Sequence, residues 1–581
     1  MNQFFSRRDF LAMSAKGVGA AVISYGLMGC THTSDKAGFL HGVASGDPTD
    51  SDLIIWTRIT PKNEGDFVVS WEVATDADFK TIITNGETTT NTDRDYTVKV
   101  DAIGLESSQQ YFYRFKCGKK YSEIGKAKTL AVGSVEQVKL AILSCSNFPA
   151  GHFNVYKLAA EIGDLDAVLH LGDYIYEYKD GSYASENAKS LGRESKPNNE
   201  LFNLADYRTR YAQYKEDPSL KLLHANVAFI NVWDDHEISD NTWLEGAKSH
   251  VDDKENFNAR KEAALQAYFE WLPLRPANPG NNNEIYRSFK FGDLVDLHML
   301  DTRVIGRDKQ LDYQNYLNWN TKVIDKERLY VDLHDSNRSM LGSEQLHWLQ
   351  NTLVSSTSKW QVLGQQVLMG KTYLPEPISS GQLSISEYIE LNNLASLNQR
   401  INQNDINITA SEHLAVSENK ERLTENVIAQ LTMPEIPFNL DAWDGYPYER
   451  ELIYSTAKAN DINLVVLAGD THNAWANDLV DEQGDVIGVE FATSSVSSPG
   501  LEVDVVEGEE NFTEETLVNM VDDLKYLNIK DRGFTVVTFT EEQVKSDWHY
   551  VDTILSTQFS ENIARHYSVI SKAESPKITN N

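Results

Sequence analysis

The chain contains little cysteine, little proline and no second long apolar run. It has 3 Cys, 15 Pro and 33 Gly in 581 residues, which excludes a disulfide scaffold and a fibrous or linker-dominated protein. Beyond the N-terminus no segment has 18 consecutive apolar residues, the length that a transmembrane helix requires. Basic residues are also scarce, since 53 Lys and Arg stand against 86 Asp and Glu, a formal charge of −33. Such a surface repels nucleic-acid backbones, so we expect no specific nucleic-acid binding.

The rest of the composition is that of a large globular protein. Its 41% hydrophobic and 24% charged residues are ordinary values, and the apolar share is too high for a disordered acidic chain. A single hydrophobic core stops growing at roughly 250–300 residues. The length therefore predicts two or more domains.

Residues 1–30 have the pattern of an export signal. Arg7 and Arg8 precede a short apolar stretch from Gly17 to Gly29, which is typical of a twin-arginine signal. The pair Gly29-Cys30 resembles the site at which bacterial lipoproteins are cleaved and acylated; the alternative is a plain signal that is cleaved and discards Cys30. We favour a lipid anchor through Cys30 and expect a periplasmic or extracellular protein, soluble or held only by lipid.

Residues 37–131 predict a small β-sandwich. Short alternating strands such as Phe67–Val73 and Tyr111–Phe115 occur there without a convincing helix, as in immunoglobulin-like or fibronectin-like domains. Leu105 precedes Tyr111 by six residues, a spacing similar to the tyrosine corner of those domains. Cys117 lies in one of these strands and is expected to be an inert buried thiol, although export would favour its pairing with Cys145.

Residues 138–570 predict an α/β domain, reached through a linker at 131–137. Apolar runs of strand length alternate with helical segments such as 154–161 and 258–269, a pattern typical of buried central strands. The runs are Leu140–Leu143, Ala167–Leu171, Val227–Val232, Val295–Leu300, Val362–Leu368 and Leu464–Ala468. A later group of strands is predicted at 486–492, 533–539 and 544–551. The polar stretch 379–434 is expected to be a helical or irregular insertion.

Polar blocks follow five of these strands. They are Ser144-Cys145-Ser146-Asn147, Gly172-Asp173-Tyr174-Ile175-Tyr176, Asp234-Asp235-His236-Glu237, Asp301-Thr302-Arg303 and Gly469-Asp470-Thr471-His472. An Asp after a strand is more often a turn or helix-capping residue, and a buried Cys is usually a small hydrophobe. Ligands of open α/β sheets, however, bind at the carboxyl ends of the strands. The conjunction of five blocks therefore indicates a site for metals and anions.

These blocks resemble the metallophosphoesterase signature and, more closely, the PhoD-type alkaline phosphatase family. The residues from His41 to Pro61 are similar to the start of that family's N-terminal β-domain, so the resemblance covers nearly the whole chain. It implies an α/β fold for the catalytic domain, an αββα four-layer sandwich, which follows the small β-sandwich in the sequence. It also implies a hydrolase that acts on phosphate esters.

The resemblance further implies metal ligands. Asp173 would bridge two ions, and Tyr176, His472 and the Cys145 thiolate would complete the site of the first. Thiolate and phenolate ligands favour Fe(III). Asp235 and Asp470 would bind the second ion.

The second site differs from the broader superfamily. A His-bearing block is missing near Gln365, so that site becomes rich in oxygen and favours Ca²⁺. Arg303 would clamp the phosphate, or else form a structural ion pair with Asp301. His236 would assist the leaving group. Of the remaining polar residues, Asp234, Asp240 and Asn241 could bind a further calcium ion or cap a helix, and we favour capping.

These residues predict hydrolysis by in-line attack of a metal-bound hydroxide, without a covalent phosphoenzyme. The expected partners are small phosphate esters, and we expect a monomer. Two alternatives stay open. One is a phosphodiesterase or nucleotidase that uses the same site, and the other is a non-catalytic surface lipoprotein with structural metals.

Overall fold

The computed structural model describes residues 38–250, 254–276, 282–319, 323–504, 514–563, 567–573 and 575–580. Residues 1–30, with the predicted signal and Cys30, lie outside them. Among the described residues, none of the helices combines the length and apolarity needed to cross a membrane.

The strands, in chain order, are β1 Val43–Gly46, β2 Asp52–Arg58, β3 Phe67–Ala74, β4 Ile82–Thr90, β5 Thr97–Ile103, β6 Gln110–Cys117, β7 Lys120–Tyr121, β8 Gly125–Lys128, β9 Val138–Leu143, β10 Ala167–His170, β11 Phe229–Asn231, β12 Arg287–Phe291, β13 Val295–Met299, β14 Leu317–Asn318, β15 Val323–Ile324, β16 Trp360–Gly364, β17 Tyr373–Pro375, β18 Glu435–Pro437, β19 Leu464–Ala468, β20 Ala474–Val480, β21 Val486–Ala492, β22 Leu524–Asn528, β23 Gly533–Phe539, β24 Gln543–Tyr550, β25 Tyr567–Lys572 and β26 Ser575–Asn580.

The helices are α1 Asn154–Glu161, α2 Ala188–Leu191, α3 Leu204–Lys215, α4 Pro218–Asn226, α5 Lys254–Trp271, α6 Lys326–Leu333, α7 Ser343–Ser355, α8 Glu376–Ser379, α9 Ile385–Asn402, α10 Ala410–Asn419, α11 Glu425–Gln430, α12 Pro447–Ala459 and α13 Glu514–Met520. The insertion at 379–434 is helical, since α9, α10 and α11 lie within it. The predicted helix at 154–161 has the bounds of α1, and the one at 258–269 lies within the longer α5.

Two large sheets form the centre of the molecule. One has the strand order β26-β25-β24-β23-β9-β10-β11-β1-β2-β5, and the other has β12-β13-β16-β19-β21-β20-β22. Strands β9, β10 and β11 are parallel to one another, as are β13, β16, β19 and β21. The later strands form no separate group, because β21 joins the second sheet while β23 and β24 extend the first.

Alternating side chains bury both faces of the second sheet. Val465 and Leu467 of β19 belong to the core shared with the first sheet. Leu464 and Val466 of the same strand face the opposite way and pack with helical residues such as Ile453 of α12. Both faces are apolar because both are covered. This packing of sheet on sheet, with helices outside, confirms the expected αββα sandwich.

The N-terminal β-sandwich is fused to the first large sheet. Its outer sheet is β4-β3-β6-β7, with β8 paired to β6, while β1, β2 and β5 continue the ten-stranded sheet. Gly46 of β1 pairs in parallel with Phe229 of β11. A Cβ on Gly46 would lie 2.1 Å from the carbonyl oxygen of Pro273, so this close approach requires glycine. The two bodies predicted from the sequence therefore share a continuous backbone ladder.

Two expectations about the sandwich have clear outcomes. The hydroxyl of Tyr111 accepts a hydrogen bond from the Glu106 backbone N–H at 2.7 Å, the contact that a tyrosine corner makes. Cys117 and Cys145 are both free and buried, so Cys117 is the unpaired buried thiol that we expected, and the alternative pairing with Cys145 is wrong. Cys117 lies in the sandwich core and Cys145 at the end of β9, in different layers of the fold.

Candidate metal centre

The five polar blocks meet at the carboxyl ends of the parallel strands. Cys145 follows β9, Asp173 follows β10, and Asp470 and His472 follow β19. These four residues have positive φ angles of 61°, 54°, 62° and 62°. Each such non-glycine residue costs roughly 1–3 kcal/mol of backbone strain. The sharp left-handed turns aim these side chains across the gap between the two sheets.

One group of ligand atoms combines sulfur, oxygen and nitrogen. Single atoms of Cys145, Asp173 and His472 lie within 4.8 Å of one another. The hydroxyl of Tyr176 joins them, since it donates to Asp173 Oδ2 at 2.9 Å and lies 3.1 Å from His472 Nε2. The structure thus brings together the residues that the resemblance assigns to the first metal.

The backbone fixes the orientation of His472. Its Nδ1 donates a hydrogen bond to the Pro499 carbonyl at 2.6 Å, so Nε2 carries the lone pair and points at Tyr176. Burial lowers the pKa of His472 to about 4. A neutral imidazole held by a second hydrogen bond is the usual state of a histidine that binds a metal.

A second group is made only of carboxylates. Oxygen atoms of Asp234, Asp235 and Asp470 lie within 4.8 Å of one another, and Asp173 with Asp235 and His236 forms a third group that connects the two. Asp235 Oδ2 accepts from the Asn241 backbone N–H at 2.5 Å. Asp173 therefore lies between the sulfur-containing group and the oxygen-rich one.

Arg303 holds the carboxylate group together. Its Nε donates to Asp234 at 2.5 Å, its Nη1 to Asp441 at 2.8 Å and its Nη2 to Asp470 at 3.1 Å. The guanidinium is fully buried. The ion pair with Asp301 that we considered is wrong, because Asp301 accepts from the Arg303 backbone N–H instead.

The capping interpretation of Asp234, Asp240 and Asn241 is also wrong. In the described chain that follows β11, residues 232–247 run through turns and no helix starts there. Asp240 instead pairs with Lys248 at 2.9 Å. The turns hold the side chains of this block against those that follow β10.

His236 lies against the ring of Tyr176 and pairs with a buried acid. The two rings stack with centroids 4.4 Å apart, and His236 Nδ1 lies 2.7 Å from Glu177 Oε2. Burial by itself lowers the pKa of His236, but Asp235, Glu177 and Asp173 hold it well above its usual value. These carboxylates favour the protonated imidazole, with Glu177 holding its Nδ1 side.

Glu237 connects two of the blocks through backbone amides. Its Oε1 accepts from Tyr174 N at 2.6 Å, and its Oε2 accepts from Asp173 N at 3.0 Å and from Asp234 N at 2.8 Å. Beneath them Gly172 has φ +102°, and a Cβ there would lie 2.4 Å from Asp234 Cβ. Glu237 thus fixes the distance between the loops that carry the ligands.

The donor atoms suit cations. Asp173 Oδ1 and Asp234 Oδ2 are buried and, among the described residues, accept no hydrogen bond. Burial and then Asp173 raise the pKa values of Cys145 and Tyr176, so these groups ionise here only against a nearby positive charge. Metal ions supply that charge and reverse such shifts. The first group combines soft and hard ligands, and the second has only oxygen.

Sequence reasoning missed several residues of the site. Ser498 Oγ donates to the Tyr176 hydroxyl at 2.6 Å, and the serine-rich stretch that follows β21 was the available signal. Asp441 bridges Arg303 and Arg307 and lies two residues before Trp443. The Trp443 side chain is itself fully buried.

Comparison with known proteins agrees with this geometry. The family model described as PhoD-like phosphatase matches residues 140–548, and that of its N-terminal domain matches residues 26–131.

The chain belongs to the PhoD-like phosphatase family.

Relatives of known name support the same assignment. The chain is 32% identical over 574 residues to alkaline phosphatase D of Bacillus subtilis (strain 168), covering 94% of this chain and 84% of the Bacillus protein. It is also similar to a solved structure of PhoD, with a TM-score of 0.73 and 29% identity over 94% of this chain and 92% of that one. The resemblance inferred from the five blocks is confirmed. This PhoD-like phosphatase is a phosphate-ester hydrolase, so the non-catalytic alternative is wrong.

Proposed function

We propose that this phosphatase is metal-dependent and binds Fe(III) through Cys145, Asp173, Tyr176 and His472. Ca²⁺ would bind through Asp173, Asp235 and Asp470. The observation that carries the proposal is the convergence of one thiol, one carboxylate and one imidazole within 4.8 Å of one another, with a phenol that contacts the last two. Thiolate and phenolate ligands favour iron, and an all-oxygen group favours calcium.

The proposed reaction is in-line attack of hydroxide on phosphorus. A P–O bond to hydroxide forms while the P–O bond to the alcohol breaks, and the departing oxygen takes a proton. When bound, the cations neutralise phosphoryl charge and lower the pKa of the attacking water. A phosphate ester resists attack because its anionic oxygens repel nucleophiles.

The protein's own residues supply orientation and protons. Because Glu177 engages His236 Nδ1, Nε2 is the nitrogen that can give a proton to the leaving oxygen. Arg303 orients Asp234, Asp441 and Asp470 through its three nitrogens. We propose that it also contacts the phosphoryl group once cations share the charge of those carboxylates.

The remaining expectations are also proposals. Residues 37–131 and 138–570 would form the two domains, and residues 1–30 would direct twin-arginine export to the periplasm or cell exterior. Cys30 would carry a lipid anchor. The partners would be small phosphate esters without specific nucleic-acid binding, and the protein would be a monomer.

A specific observation also favours phosphodiesters as a second class of substrate. One cavity of about 540 Å³ is lined by Tyr183 and Pro499, whose oxygen atoms contact His472. Another of about 530 Å³ is lined by Asn241 and Asp441, which contact Asp235 and Arg303. A diester needs space for two alcohol groups. A panel of matched monoesters and diesters would separate the two activities.

Metal analysis of the purified protein tests the proposal. We expect iron and calcium to copurify, and Cys145→Ala to lose iron together with hydrolysis of p-nitrophenyl phosphate. A visible phenolate-to-iron charge-transfer band should disappear in Tyr176→Phe. Cys117→Ala is the matched control, because its thiol is equally buried but lies in the sandwich. Iron-free protein whose full activity survives Cys145→Ala would disprove the iron site.

A further inference from the structure

The cavity of about 530 Å³ beside the second carboxylate group adjoins the proposed reaction site. The backbone N–H of Asn241, in its wall, donates to Asp235 Oδ2 at 2.5 Å. Asp441, also in its wall, accepts from Arg303 at 2.8 Å. A molecule in this cavity would therefore contact Asn241, which is hydrogen-bonded to the proposed calcium ligand Asp235. The volume is within the roughly 300–1,000 Å³ typical of small-molecule sites.

Some charged side chains of the cavity wall form ion pairs with described residues, and Lys309 does not. Lys248 pairs with Asp240 at 2.9 Å, and Asp441 is shared by two arginines. Lys309 makes no ion pair with any described residue, and its Nζ lies 5.2 Å from the centre of the Trp243 ring. The wall also carries Asp312, which accepts a hydrogen bond from the Gln314 backbone N–H at 2.9 Å. In this wall, Lys309 is therefore the ammonium that can attract an anion.

The Trp243 ring also limits the movement of Lys309. The indole is itself buried, and the carbonyl of Gly246 accepts a hydrogen bond from its backbone N–H at 2.8 Å. An ammonium above an indole face is attracted by the ring. The exposed Lys309 side chain is therefore held over Trp243, another residue of the cavity wall, so less conformational entropy is lost when it binds a ligand.

We propose that this cavity binds the alcohol part of the substrate. Lys309 then selects esters whose alcohol part carries a second negative charge, such as a carboxylate or another phosphate. The inference rests on the proposed phosphatase function and adds a substrate class to it. The scissile phosphate lies at the metal ligands, and the second anion reaches Lys309.

A matched pair of esters tests the selection. Glycerol 2-phosphate and 2-phosphoglycerate share one skeleton, and a carboxylate replaces a hydroxymethyl group in the second. We expect the wild-type protein to have a higher kcat/KM for 2-phosphoglycerate, mainly through a lower KM, and a lower inhibition constant for it against p-nitrophenyl phosphate. Lys309→Gln should reduce this preference by about two- to fivefold, the scale of one exposed charge contact. Lys309→Arg should keep the preference, and Lys309→Glu should reverse it.

Lys157→Gln is the matched control. Lys157 is also exposed over an aromatic ring, 5.5 Å from that of Phe559, but does not line the cavity, so its variant should keep the wild-type preference. Added salt should narrow the preference in the wild-type protein. Equal wild-type constants for the two esters, or a preference unchanged in Lys309→Gln, would overturn the inference. Failure of the wild-type protein to hydrolyse p-nitrophenyl phosphate would instead refute the proposed function.

Discussion

The substitution Glu237→Gln should disable the site although it changes one atom. Both carboxylate oxygens of Glu237 accept hydrogen bonds, and three backbone N–H groups donate to them. Glutamine has one acceptor oxygen, so its amide N–H₂ must face at least one of these donors. The side chain is fully buried, so water cannot replace the lost acceptor.

The magnitude follows from the bonds that are lost. A hydrogen bond to a charged group contributes about 1.5–3 kcal/mol, and a buried N–H without a partner costs about 1–3 kcal/mol. We expect the free energy of unfolding to fall by about 3–5 kcal/mol. Two of the three donors are the backbone amides of Asp173 and Asp234. Since a displacement of about 1 Å can cost on the order of 100-fold in rate, we expect at least that loss of activity.

The assay combines thermal unfolding, metal content and hydrolysis of p-nitrophenyl phosphate at alkaline pH. Burial raises the pKa of Glu237 to about 7 while the three amides oppose the rise, so the wild-type side chain is a carboxylate under these conditions. Glu327→Gln is the control, because Glu327 is exposed in the first turn of α6. A Glu237→Gln protein with an unchanged unfolding midpoint and near wild-type activity would refute the reasoning.

Three further predictions address other parts of the molecule. Arg303→Gln should lower the free energy of unfolding by about 3–5 kcal/mol and abolish hydrolysis, because it leaves buried carboxylates unpaired; a stable and active variant in thermal and kinetic assays would contradict this. Burial lowers the pKa of His170 to about 3, so the unfolded chain binds its proton first and stability falls as pH drops below about 6.5, by about 2 kcal/mol at pH 5. Urea midpoints should therefore depend less on pH in His170→Gln, and equal slopes would argue against it. Tyr111→Phe should lower the free energy of unfolding, measured in urea, by about 1 kcal/mol, because the hydrogen bond from the Glu106 backbone is lost. An unchanged free energy would show that this hydrogen bond does not stabilise the fold.

Much of the fold follows from local pattern. Each of the six mainly apolar runs, from 140–143 to 464–468, overlaps a strand in the structure, although the run 362–368 extends past β16, which ends at Gly364. A buried parallel strand needs only a short, largely apolar stretch. The polar blocks that follow these runs in the sequence identify the family, again from local pattern. Each is a compact unit whose residue types and spacing can be read directly from the chain.

The pairing of charges could not be read in this way. Arg303 has Asp301 two residues away, yet its guanidinium pairs with Asp234, Asp441 and Asp470, which are 69, 138 and 167 residues distant. The partners of a long side chain are the groups that the fold brings near it, whatever their separation along the chain. The same applies to Ser498, whose contact with Tyr176 joins residues 322 positions apart.

The sequence by itself determined the family, the strands, and the residue types that converge on the site. Only the tertiary structure decided that the N-terminal sandwich shares its ladder with the catalytic sheet at Gly46 and Phe229, and that Cys117 and Cys145 stay apart. It alone also shows the left-handed turns at Cys145, Asp173, Asp470 and His472. Strand identity depends on neighbours along the chain, whereas ladders, pairings and strained turns depend on contacts made only after the two sheets have packed.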